Sequence, residues 1–457
     1  MIRRGRQNAQ RKAAALLVSR NLAPTQLVQI EKPIYGGAFL ARVEGKAVFV
    51  PLALPGERVR VRIVEEKRSY ATAETEEIVE AAAERVAPAC PHFGTCGGCQ
   101  YQHADYAAQL AFKQAILRES LERGGVRSPE KIAVLAAEPW AYRNRIRLAF
   151  DAEGNAGYRG RKSHAVIAIA ECPIAAPRLV PAALAAAQFF RKFGRSSRPA
   201  ELSLFSNAAE DFLLAGVFTS GTAQVPLTDY FDALLQEIPL LRGVELVEMH
   251  QGQLPRTIAQ AGDVSLIYHA AGFRYRVDHG AFFQVNRWLL DKLVECVTDG
   301  HRGELAWDLF AGVGLFARRL AEQFASVIAV ESAPAAMAAL TQNLAGTRAT
   351  AVKTTTLNFL RSARKGKRPD LIAPDLIVPD LIVVDPPRTG LGADVTALLG
   401  QIAAPAMVYV SCDPATLARD LRALIGAGYA IEYITLADLF PQTFHLETVV
   451  RLRRDTG

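Results

Sequence analysis

The stretch Cys90-Pro-His-Phe-Gly-Thr-Cys96-Gly-Gly-Cys99 sets three thiols within ten positions, and Cys172 is the candidate for a distant fourth. Only Cys296 and Cys412 remain for the rest of a 457-residue chain. Three closely spaced thiolates with a fourth from elsewhere can hold one metal centre, either zinc or an iron–sulfur cluster. Gly97 and Gly98 let the backbone bend between ligands. A set of small buried thiols and a disulfide framework are the competing readings, but scattered buried cysteines have no reason to cluster. Spacing alone leaves zinc and iron both open.

Half of the chain is hydrophobic and 22% is charged, the balance of a globular protein with ample material for a core. At about 100 to 200 residues per domain, the length allows two to four domains. No apolar run approaches the ~20 residues needed to span a bilayer, so no membrane association is expected. The basic start lacks a following apolar stretch and cleavage site, so no secretory signal is read there. Few cysteines, mostly clustered, fit a reducing cytosol, and the expected location is cytoplasmic. A formal charge of +7 permits a nucleic-acid partner without requiring one.

Residues 1–24 carry Arg3, Arg4, Arg6, Arg11, Lys12 and Arg20 with no acidic residue, a basic arm able to lie along phosphates or simply a solvated tail. Residues 25–86 change to short alternating strands broken by Gly36-Gly37, Gly45 and Pro55-Gly56, the pattern of a small β-barrel. This segment resembles a TRAM domain, an OB-like RNA-binding barrel, through Gly36-Gly37-Ala38-Phe39-Leu40-Ala41-Arg42 and Val50-Pro51-Leu52-Ala53-Leu54-Pro55-Gly56-Glu57.

Residues 87–280 read as an α+β middle domain. An amphipathic helix at about 104–124 stops at Gly124-Gly125 and is a candidate to pack on the catalytic domain. Alternation through residues 143–148 puts Arg143, Arg145 and Arg147 on one strand face, a platform for RNA or a solvated basic face. An alanine-rich helix follows near residues 180–193.

Residues 281–457 have a clear α/β pattern. A hydrophobic strand at 305–310 leads into Ala311-Gly312-Val313-Gly314, a helix is expected at 315–324, and a second strand at 326–330 ends in Glu331. That carboxylate lies 17 positions beyond Gly314, near the ~20 expected for a ribose-binding acid. Two glycines make a poor dinucleotide fingerprint, whereas an S-adenosylmethionine site has no pyrophosphate to cradle. Pro-Asp-Leu-Ile recurs at 369, 374 and 379, and only the last copy runs into Asp385-Pro386-Pro387-Arg388, so the earlier copies read as an expanded loop. Another strand, 406–410, ends in Ser411-Cys412-Asp413-Pro414, which places Cys412 at a strand tip with a helix terminus expected to favour its thiolate. His445-Leu446-Glu447-Thr448-Val449 opens the last strand and offers Glu447 as a base.

Taken in order, these motifs together with Phe282-Phe283-Gln284-Val285-Asn286 resemble the RNA uracil-5-methyltransferases over nearly the whole chain. The resemblance implies a C-terminal Rossmann-like class I S-adenosylmethionine-dependent methyltransferase domain behind the TRAM barrel and a middle iron–sulfur domain. It implies a [4Fe–4S] cluster on Cys90, Cys96, Cys99 and Cys172. Cys412 would be the nucleophile and Glu447 the base, with Gln284, Phe310, Glu331 and Asp385 lining the S-adenosylmethionine site. Phe282 would stack on a base, and Asp385 would also face the uracil. Two positions depart from the family pattern: Leu315 stands where some members have asparagine, and Thr355 where a polar or acidic adenine contact is common. The expected product is 5-methyluridine in RNA, in 23S rRNA first and tRNA second, made by a monomer. The alternative is a non-catalytic RNA-binding iron–sulfur protein. A cytosine-5 methyltransferase fits less well, since that chemistry comes with a different cysteine context.

Overall fold

The computed structural model describes residues 25–192, 198–220, 230–250, 252, 255–364 and 378–454. The basic segment 1–24 and the first two Pro-Asp-Leu-Ile copies, at 369–377, lie outside the described residues. The chain divides into two compact units. One comprises residues 1–94, 99–116 and 442–444, and the other 95–98, 117–441 and 445–457.

The first unit is built on a closed five-stranded barrel, in the order Thr25–Pro33, Ala38–Val43, Lys46–Pro51, Tyr70–Glu80 and Arg58–Glu66. Period-two alternation explains its core: Val59 and Val61 are fully buried while Arg58 and Arg60 point outward. Gly37 has φ +85°, and a Cβ there would lie 2.6 Å from Gln100, so this turn needs glycine. The outward arginines meet glutamates on the neighbouring strand, Arg58 with Glu80 at 2.5 Å and Arg60 with Glu77 at 2.9 Å. Residues 442–444 belong to this unit because Gln442 and Gln109 exchange amide hydrogen bonds. The Gln109 side chain donates to Gln442 Oε1 at 3.0 Å, and the Gln442 backbone donates to Gln109 Oε1 at 2.9 Å.

The second unit contains two large sheets and a hairpin, Ser265–Ala270 with Phe273–Asp278. The first sheet runs Arg256–Gly262, Leu241–Met249, Leu213–Ser220, Glu201–Ser206, Arg145–Phe150, Ala156–Arg159 and Val166–Ala168, packed by helices Leu179–Arg191 and Phe231–Glu237. Ile146 and Leu148 face that core, as alternation predicts. The opposite face corrects the expectation of an open arginine platform. Arg145 donates to the Ala281 carbonyl at 2.9 Å and lies 4.2 Å over the Phe205 ring. Burial lowers its pKa to about 10. Arg147 is exposed but paired with Glu201 at 2.6 Å. Carbonyls of the segment leading to Gln284 need a donor there, and Arg145 supplies it.

The second sheet has the order Ala349–Lys353, Phe324–Glu331, Gly303–Leu309, Leu381–Val384, Ala406–Ser411, Glu447–Arg454, Tyr429–Ala437 and Ala133–Leu135. Its first five strands are mutually parallel, and the central ones are apolar, with all four residues of Leu381–Val384 buried, as strands covered on both faces must be. Glu447–Arg454 is antiparallel to both neighbours. The helix expected at 315–324 is shorter, Leu315–Leu320. Gln323 closes the turn onto the Leu320 carbonyl at 2.9 Å, and Phe324, 1% exposed, opens the next strand opposite Gly303. Among the described residues, no helix is long and apolar enough to cross a membrane.

Candidate active site

Parallel strands deliver the expected cofactor residues to one edge of the sheet. Register pairs Leu309 with Val330 on one side and Val384 on the other, so Phe310, Glu331 and Asp385 share the carboxyl ends of adjacent strands. Open α/β sheets place ligands at such edges. The chain leaves Leu309 through Phe310 at φ +69°, a costly conformation for a bulky residue. The Gly312 amide then donates to Glu331 Oε2 at 2.9 Å, and Glu331 Oε1 accepts from the Ser332 and Ala333 amides at 2.6 Å each. Gly314, at φ +92°, has room only for hydrogen, since a Cβ would lie 2.9 Å from Leu340. Glu331 is thereby fixed at the tip of its strand.

Asp308 lies beneath this turn, completely buried, with Oδ2 accepting from the Ala317 amide at 2.8 Å. Its Oδ1 is buried without a hydrogen-bond partner. Burial foremost, with Asp385 and Glu331 adding repulsion, pushes its pKa up to about 7. An orphaned buried carboxylate oxygen fits a site completed by a ligand carrying donors or positive charge. Asp308 is a site residue that the sequence patterns left unassigned within the hydrophobic strand at 305–310; its place near the strand's exit is the available signal.

Cys412 and Glu447 meet through the antiparallel pairing. Ser411 pairs with Thr448, and the same register continued by one residue sets Cys412 opposite Glu447. Asp413 caps the following helix, Pro414–Gly426, with its side chain accepting from the Ala415 amide at 3.0 Å and the Thr416 amide at 2.9 Å. The thiol is therefore held between a strand end and a helix start. The surroundings of the thiol work against the help expected from the helix terminus. Burial, then the charges of Glu447 and Asp385, push the Cys412 pKa up to about 12, against a lowering by Arg388. Glu447, 3% exposed, and Asp385 are themselves pushed up, each chiefly by burial, with Asp385 repelling Glu447 as well. Taking a proton on either carboxyl relieves that repulsion and leaves less negative charge facing the thiol.

Gln284 is buried, and its carbonyl accepts from the Asn144 side chain at 3.0 Å. Asn286, fully buried, donates to the Leu439 carbonyl at 3.1 Å while its oxygen accepts from the Trp288 and Leu289 amides at 3.0 and 3.1 Å. Phe282 is 65% exposed. Leu315 is buried, and its carbonyl accepts from the Tyr275 hydroxyl at 3.0 Å. Thr355 accepts the Asn358 amide at 3.3 Å, in the manner of a helix cap.

All six cysteines are thiols and not half-cystines. In the second unit, Cys96 pairs across an isolated bridge with Gly160, and the Gly97 amide donates to the Arg159 carbonyl at 3.0 Å. The Tyr158 hydroxyl hydrogen-bonds Cys172 and feels the charge of Cys96, which join burial in raising its pKa. In the first unit, the Cys90 amide donates to Gln102 Oε1 at 3.0 Å. Among the described residues, no group of three or more His, Cys, Asp or Glu side chains is gathered as for a metal ion.

The fold defines an α/β methyltransferase with an N-terminal TRAM barrel. The sequence model of the tRNA (uracil-5-)-methyltransferase family matches residues 261–455, and that of the TRAM domain residues 22–75. The chain is 33% identical to an "uncharacterized RNA methyltransferase" of Streptomyces avermitilis, covering 93% of this chain and 97% of that one. It is also 33% identical to the 23S rRNA (uracil(1939)-C(5))-methyltransferase RlmD of Azoarcus sp. strain BH72, over 93% of this chain and 99% of that protein. The crystal structure of Pyrococcus abyssi tRNA (uracil-54, C5)-methyltransferase in complex with S-adenosyl-L-homocysteine has the same fold. It superposes with a TM-score of 0.72 at 23% identity, over 93% of this chain and 100% of that one. The chain belongs to the RNA uracil-5-methyltransferase family.

Proposed function

We propose that this protein methylates C5 of uridine in RNA, with 23S rRNA as the substrate, and that the meeting of Cys412 with Glu447 and Asp385 carries the reaction. Uracil C5 is too poor a nucleophile to react unaided. Cys412, once deprotonated, adds to C6 and leaves an enolate with its electron density on C5. Gln284, Phe310, Glu331 and Asp385 would hold S-adenosylmethionine, whose methyl group would pass to C5 as its S–CH3 bond breaks, with S-adenosylhomocysteine as the leaving group. Glu447 then takes the C5 proton, and elimination breaks the C6–S bond to return the cysteine. Since C5 and C6 are covered by stacking in a helix, the target must be flipped out or unpaired.

The choice of rRNA is supported by the RlmD relatives that match nearly end to end. tRNA is the second candidate. Mapping 5-methyluridine in RNA from a deletion strain tests both: loss of one rRNA mark is expected, loss of a tRNA mark reassigns the substrate, and retention of every mark overturns the reading.

A [4Fe–4S] cluster on Cys90, Cys96, Cys99 and Cys172 is part of this proposal. Its support is the spacing of the thiols and the common Tyr158 neighbourhood of Cys96 and Cys172. No catalytic step is assigned to it. Anaerobically purified protein should contain about four irons and four sulfides per chain, and stoichiometric zinc instead would refute the assignment. We place the protein in the cytoplasm, as a monomer.

A further inference from the structure

The motif His445-Leu446-Glu447 contributes Glu447 to the proposed chemistry but leaves its histidine without a task. His445 Nδ1 lies 3.1 Å from Arg388 Nη2. A guanidinium has only N–H groups to offer, so Nδ1 must accept and the ring's proton sits on Nε2. The ring is braced edge-on against Phe440, at 5.6 Å between centroids. Arg388 is fixed at its other end, where its carbonyl accepts from the Thr416 hydroxyl at 3.1 Å, in the helix that starts after Cys412. Backbone and side chain are thus both held, although Arg388 itself is exposed.

We propose that His445 is a positioning residue for the methyl-transfer reaction, accepting from Arg388 so that this guanidinium faces Cys412 and Glu447. The inference rests on the reading of Cys412 as nucleophile. The charges around the thiol give the arrangement its purpose. Burial, Glu447 and Asp385 all oppose thiolate formation, and Arg388 is the side chain that opposes them. An exposed cation acts weakly through water, and its effect grows when a bound RNA excludes solvent from the site. Cys412 therefore rests as a thiol and gains nucleophilicity as substrate covers it, provided that Arg388 stays aimed. A free arginine side chain has many rotamers, and His445 selects one.

The test follows Cys412 alkylation by iodoacetamide in full-length protein, read by mass spectrometry of the Cys412 peptide, beside single-turnover methylation. His445→Ala is expected to slow alkylation of the RNA-free protein about twofold, the small effect of a solvated cation, and to slow single-turnover methylation, where RNA covers the site, about tenfold. It should lower kcat with little change in KM for RNA. His445→Asn, whose side-chain oxygen can accept from Arg388, should restore most of both. Arg388→Ala should match His445→Ala, and the double variant should be no worse than either single, because both remove one interaction. Unchanged alkylation in folded His445→Ala, or fully additive losses in the double variant, overturns the proposal. If His445→Ala does not fold, His445→Asn against His445→Leu gives the same comparison. Alkylation needs no RNA, so wild-type protein that transfers no methyl group would instead overturn the functional reading itself.

Discussion

The Asp420 carboxylate accepts from the Leu391 amide at 2.7 Å, tying the loop that follows Asp385 to the helix that follows Cys412. The same oxygen accepts from the Tyr409 hydroxyl at 2.8 Å. Gly390, at φ +71°, passes so close that a Cβ would lie 2.4 Å from it. Asp420→Ala strands two buried donors, and each costs about 1–3 kcal/mol. A loss of roughly 3 kcal/mol by denaturant unfolding is expected, with a lower kcat as the Asp385 loop loosens. Asp420→Asn, whose side-chain oxygen can still accept from both donors, should lose much less.

The proposed chemistry separates Cys412 from Glu447 in a single gel. Cys412→Ala should form no covalent RNA complex and no 5-methyluridine. Glu447→Gln keeps the nucleophile but lacks the acceptor for the C5 proton, so a denaturation-resistant RNA–protein adduct should accumulate. Adduct in the Cys412 variant would rule out this assignment.

Glu447 and Asp385 make stability depend on pH. Their folded pKa values are raised, so the folded state binds protons that the unfolded chain releases. Stability is then greatest below the unfolded value of about 4.5 and is lost as pH rises through the folded values. Glu447→Gln removes that penalty. Its melting temperature should exceed the wild type at pH 8 and equal it near pH 4.5, while turnover is abolished. A lower melting temperature at pH 8 would contradict the placement of a charged Glu447 in a buried site.

Arg145 and Arg147 should behave oppositely. Arg145→Ala removes hydrogen bonds to the Ala281 and His279 carbonyls and the contact with Phe205, so it should destabilise by about 2–3 kcal/mol without a matching loss of RNA affinity. Arg147→Ala breaks an exposed pair worth at most about 1 kcal/mol. Filter binding on folded Arg145→Ala that shows a large affinity loss would restore the open-platform reading.

Much of this was legible in the chain because local rules carried it. Alternation gave the barrel strands and the inward set Ile146 and Leu148. Apolar runs ending in Asp308–Gly314, Asp385-Pro386-Pro387-Arg388 and Ser411-Cys412 gave the parallel strands and their tips. The length of the helix after Gly314 was not legible, since Phe324 is claimed by a strand partner remote in sequence. The fate of Arg145 was hidden for the same reason: alternation assigns a face but not what crosses it.

The sequence by itself determined which candidate residues fall at which strand ends, because glycine turns, apolar periodicity and strand exits are properties of neighbours along the chain. Only the tertiary structure decided that Cys412 and Glu447 lie opposite each other, since the antiparallel register of Glu447–Arg454 against Ala406–Ser411 brings them together. It also decided the protonation of the site. Burial beside two carboxyls raises the Cys412 pKa, and a field of that kind is set by groups gathered from separate strands, which no local pattern records.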